Sequence, residues 1–80
     1  MTTFVSPKQL MIEAQTLTLD GKEPNKPKDW MRIIAYMSHR IDKELAVSAI
    51  QLIMRIYDCP LQNWEISSIC RDELDVINLS

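Results

Sequence analysis

The sequence predicts an all-α fold, a small bundle of about four short helices around an apolar central helix. Three observations predict it. Apolar residues recur at helical spacing in four separate stretches. Serine, aspartate and proline stand where those stretches begin, as helix starts require. A single Gly and four Pro in 80 residues are too few for the many turns of a β-sandwich or barrel. A chain of this length forms one core, so residues 1–80 read as a single domain.

The first helix is expected over 7–19. Ser6 and Gln9 have the spacing of a capping box, and Pro7 suits the first helical position. Val5 and Leu10 are placed to form a hydrophobic staple. Leu10, Met11, Ala14 and Leu17 share one face, and Asp20-Gly21 supplies the stop. The alternation of Thr16-Leu17-Thr18-Leu19 also fits a short extended piece. Residues 20–28 hold the lone Gly and two Pro with no apolar side chain to bury, which reads as a mobile, solvated loop.

From Asp29 to Asp58 there is neither Gly nor Pro. One continuous helix would fit, but Ser38-His39-Arg40-Ile41-Asp42 interrupts the apolar texture and Asp42 is a good N-cap. Two helices, 27–40 and 43–57, are therefore favoured. In the second, Glu44, Ser48, Gln51 and Arg55 form one narrow polar stripe, and nearly every other position is apolar. A helix on the surface of a globule needs an apolar stripe of only ~100°. This helix is expected to be packed on several sides, at the centre of the bundle or at a subunit contact.

The fourth helix is expected over 60–75, opened by Asp58 or Cys59 with Pro60 in its first turn. Trp64-Glu65-Ile66-Ser67-Ser68-Ile69 has some strand character. The later spacing, 66, 69, 70, 74 and 77, favours helix. Self-association into a homodimer would bury the excess apolar circumference of the third helix.

Charge and composition exclude several classes. Nine basic and eleven acidic residues give a net charge of −2, and the pI near 5.2 is unlike that of a polybasic nucleic-acid packager. An apolar fraction of 46% argues against wholesale disorder. No apolar run approaches the ~18 residues of a membrane span, and the amino terminus lacks the pattern of a signal peptide. A cytoplasmic protein with no membrane partner is the expectation. Cys59 and Cys70 match neither a redox pair nor, with His39, the four ligands of a structural zinc, so no metal or other cofactor is expected. One histidine and no phosphate-binding Gly loop make enzyme chemistry poorly supported.

Two sets of residues remain as candidate partner-binding surfaces. Lys28, Arg32, Tyr36 and His39 recur at spacings of 4, 4 and 3, with Arg40 beside them, a basic-aromatic face on the second helix. Cations around an aromatic can grip phosphates and a base, or meet an acidic protein. The plainer reading, an ordinary solvated face, is the stronger, and Asp29 within the patch adds to it. Residues 1–57 carry a balance of +2, whereas residues 58–80 set Arg71 against Asp58, Glu65, Asp72, Glu73 and Asp75 for −4. Glu65, Asp72, Glu73 and Asp75 make the fourth helix an acidic candidate, and its simplest partner is this chain's own basic helix. Met31, with Trp30 or Trp64, is a candidate exposed anchor.

The leading functional expectation is a non-enzymatic protein acting through protein–protein interaction, as adaptor, subunit or inhibitor of a larger partner, of the phage- or plasmid-accessory type. The alternative is a nucleic-acid-binding transcriptional regulator using the basic face of the second helix. The helix after the Ser38–Asp42 corner is too apolar to lie in a major groove.

Overall fold

In a computed structural model, described here for residues 6–79 in backbone and 6–75 in side chains, the chain forms α1 (Pro7–Leu19), α2 (Pro27–Ser38), α3 (Lys43–Ile56) and α4 (Asn63–Leu79). The fold is the small all-α bundle that the periodicity predicts. Among the described residues none lies in a strand.

Local chemistry accounts for most of the helix ends. The Ser6 hydroxyl accepts from the Gln9 amide at 3.2 Å, which starts α1; Val5 of the expected staple lies outside the described residues. Thr16 and Thr18 are helical, not extended, and their hydroxyls are satisfied by donating to the carbonyls of Ile12 and Ala14, at 2.8 and 2.7 Å. The helix stops where Asp20 takes a left-handed φ of 54° and Gly21 one of 82°. Two helices, not one, occupy 27–57. Asp42 caps the second by accepting from the Glu44 amide at 3.1 Å, and the turn before it ends α2 at Ser38, two residues early.

The start of α4 differs from expectation. Asp58 turns left-handed at φ 55°, and the Cys59 amide donates to the Met54 carbonyl at 2.9 Å, closing α3. Pro60 is thereby left in the connector instead of the first turn of α4. That helix begins at Asn63, where Glu65 Oε1 reaches back to accept from the Gln62 amide at 3.2 Å.

An apolar central helix exists, but it is α2 and not α3. Trp30, Ile33, Ile34, Met37 and Ser38 are buried, and α2 packs against each of the other three helices. The core is completed by Leu10, Met11 and Ala14 of α1, by Ala46, Ile50, Ile53 and Met54 of α3, and by Ile66 and Cys70 of α4. Three short neighbours do not reach around α3. It meets α2 and α4 on one side and faces outward on the other. No helix among the described residues is long and apolar enough to cross a membrane.

Candidate interaction site

The charged face of α2 is largely occupied by the chain's own carboxylates. Tyr36 and Arg40 converge on Glu13 of α1, because α1 and α2 pack together and Arg40 lies just past the end of α2. The Tyr36 hydroxyl donates to Glu13 Oε2 at 2.6 Å. Arg40 Nε donates to the same oxygen at 2.7 Å, and its Nη2 reaches Oε1 at 3.4 Å. These bonds, that of Arg40 foremost, hold the Glu13 carboxyl below the usual glutamate range. The Tyr36 hydroxyl is pushed up, first by partial burial and then by its bond to Glu13.

At the same end of α2, His39 Nε2 lies 2.8 Å from Glu73 Oε2 of α4. Asp29 accepts from the backbone amides of Asn25 and Lys26 at 3.1 and 3.2 Å. Those two bonds hold its carboxyl below the usual aspartate range and fix the start of α2. Lys28 and Arg32 remain exposed, with no ion pair to either among the described residues. On α4, Glu65 is engaged in its own helix start, while Asp72 and Asp75 are exposed. Thus Tyr36, His39, Arg40 and Glu73 of the two candidate surfaces are brought into contacts between helices. Glu13, their acceptor on α1, carried no signal in the sequence, since its partners lie 23 and 27 residues away.

Cys70 is fully buried and both cysteines are free thiols. Burial pushes the Cys70 thiol up, with Ser38 beside it pulling part of the way back, and no histidine acts on it. Ser38 is also buried, and its hydroxyl donates to the Ile34 carbonyl at 2.9 Å. Among the described residues no three of His, Cys, Asp or Glu gather as metal ligands would. A crevice of about 180 Å³ between α3 and α4 is lined by Gln51, Arg55 and Ile66, smaller than the ~300–1,000 Å³ of typical ligand pockets. One of about 510 Å³ beside the α1–α2 loop is walled largely by exposed charged groups such as Lys22, Glu23 and Arg32. A mostly apolar lining, which small ligands favour, is missing there.

The feature that stands open is the outer side of α3. Leu45, Leu52 and Ile56 are 63%, 60% and 58% exposed and lie along one line at intervals of seven and four, with half-buried Ala49 in the gap. Glu44, Ser48 and Arg55, all exposed, run along one edge of this line. Single exposed apolar residues are common on any protein, but an aligned set of large ones marks a contact surface. Ile12, Leu17, Met31 and Trp64 are also exposed, on α1, α2 and α4, without such an alignment. Of the expected anchors, Met31 and Trp64 are therefore exposed, whereas Trp30 is buried at 7%.

Fold and surface together define a class: a small helical bundle with one apolar helix face left uncovered. Compared with known proteins, the chain matches no protein family, no curated protein and no solved structure.

Proposed function

We propose that this protein is non-enzymatic and works in the cytoplasm by binding other protein, as an adaptor, subunit or inhibitor, with the outer side of α3 as the binding face. The observation that supports the reading most is the line Leu45–Leu52–Ile56, each side chain more than half exposed. Water cannot satisfy such a line, and a partner surface that removes it from solvent gains ~25 cal/mol for each Å² of apolar area. The partners proposed are a larger protein and a second copy of the chain.

The nucleic-acid alternative is weaker. Of the basic-aromatic face, Lys28 and Arg32 have no carboxylate partner among the described residues, with Asp29 between them in sequence. Binding to a phosphate backbone draws its strength from many such cations together.

The test is affinity capture from the native cell with the intact chain, Leu52→Glu, and the pair Lys28→Ala/Arg32→Ala. A protein retained by the intact chain and by the α2 pair, and lost with Leu52→Glu, supports the α3 reading. Loss with the α2 pair alone moves the site to α2. DNA affinity that falls with rising salt and disappears in the α2 pair would replace the reading by the regulator.

A further inference from the structure

We infer that the outer side of α3 pairs with the same side of a second copy, antiparallel and about a twofold axis; this rests on the reading of α3 as a binding face. Leu45, Ala49, Leu52 and Ile56 follow the spacing 4, 3, 4, which is the alternation of a two-helix seam. The run covers ~16 Å at 1.5 Å per residue, and its midpoint falls between Ile50 and Gln51. A twofold axis there sets Leu45 against Ile56 and Ala49 against Leu52, each layer pairing a larger side chain with another apolar one. The small Ala49 lets the helices approach at the middle of the seam.

Charge chooses the occupant and the direction. The polar edge of the seam carries Glu44 at one end and Arg55 at the other, both exposed and neither in an ion pair among the described residues. Antiparallel pairing lays the edge of one copy along the same edge of the other in reverse. Glu44 of each copy then stands within about 3 Å along the axis of the other's Arg55, given the helical rise, so the pair forms twice. Parallel pairing would turn the two polar edges to opposite sides of the seam, where neither Glu44 nor Arg55 meets its counterpart from the other copy. The surface is thus complementary to itself, as a twofold interface must be. One helix pair is short of the ~1,200–2,000 Å² of a standard interface, so a dissociation constant in the micromolar range is expected.

Sedimentation equilibrium of the full chain from about 5 μM to about 1 mM tests this, with circular dichroism to check folding. The expected result is a concentration-dependent dimer, reduced to monomer by Leu52→Glu with helicity unchanged. Glu44→Arg and Arg55→Glu alone should each weaken it roughly tenfold, two symmetry-related pairs each turning from attraction to repulsion. The double reversal Glu44→Arg/Arg55→Glu should restore it. A monomer throughout the range overturns self-pairing, and a heterologous partner still captured through Leu52 would then leave the broader reading of α3 standing. A dimer indifferent to Leu52→Glu overturns the seam, and a double reversal no better than either single one overturns the antiparallel direction.

Discussion

Two surfaces compete for attention, the charged face of α2 and the apolar outer side of α3, and the bundle treats them in opposite ways. Tyr36 of α2, with His39 and Arg40 just past its end, finds carboxylates from α1 and α4 at hydrogen-bond distance, while Lys28 and Arg32 stay exposed. Leu45, Leu52 and Ile56 of α3 stay more than half exposed. The reason is geometric. Long polar side chains reach across a helix–helix groove to meet a partner several ångströms off, whereas an apolar side chain is buried only by atoms laid directly upon it. A charged face can therefore be neutralised by the edges of its neighbours. An apolar one needs a whole element to cover it, and four short helices leave α3 half covered.

The largest effect should come from contrasting the two sides of α3 itself. Ile50, fully buried beneath it, is expected to cost ~2–5 kcal/mol on change to Ala, through lost burial and the cavity left behind. Leu52→Ala, 60% exposed, should stay within ~0.5 kcal/mol in the monomer. Urea unfolding at low concentration, where no dimer forms, measures both. Equal losses at the two positions would mean that the outer side is covered within one chain, and the contrast with α2 would vanish.

Next in size is the cap that separates the surfaces. Asp42 closes the corner between α2 and α3 by accepting from the Glu44 amide. Asp42→Ala should cost ~1 kcal/mol by thermal unfolding, and Asp42→Asn or Asp42→Ser much less, since either still offers an oxygen acceptor. A loss of the same size with Asn would show that the charge of Asp42 at the helix start matters more than its hydrogen bond.

These residues also show what was legible in the sequence. Ser6 and Asp42 announce helix starts through contacts two or three residues long, so both caps can be read from local spacing. The same local logic misplaces the start of α4. Pro60 fits a first turn as well as it fits a connector, and the left-handed Asp58 that decides between them has no sequence mark. Periodicity sorts the residues of α3 into polar and apolar positions correctly, yet it cannot say how many neighbours will arrive to cover them. Hence an apolar circumference reads equally well as a central helix or as a contact surface, and α2 takes the centre. Tyr36, His39 and Arg40 are identified as one face and Glu73 as part of an acidic helix expected beside it, whereas Glu13, which takes Tyr36 and Arg40, comes from an element brought close only by folding.

The smallest effect concerns whether the α2 face is truly settled by its own chain. In the folded protein the Glu13 carboxyl is held below its ordinary range by Arg40 and Tyr36, and that of Asp29 by two backbone amides. A depressed folded value means that the unfolded chain binds more protons between the two values. Both groups therefore add stability that is full above the unfolded values and is lost as pH falls through the folded ones. Thermal unfolding temperature should accordingly fall on acidification below the ordinary carboxylate range. Glu13→Gln should lower stability modestly at neutral pH and flatten that acid limb, since a neutral amide no longer responds to protons. Both groups lie near solvent, so salt should shrink the contribution of the Glu13–Arg40 pair while leaving the Asp29 contacts with backbone amides less affected. If Glu13→Gln left the acid limb unchanged, Arg40 and Tyr36 would be free to meet a partner after all, and the α2 face would return as a rival to α3.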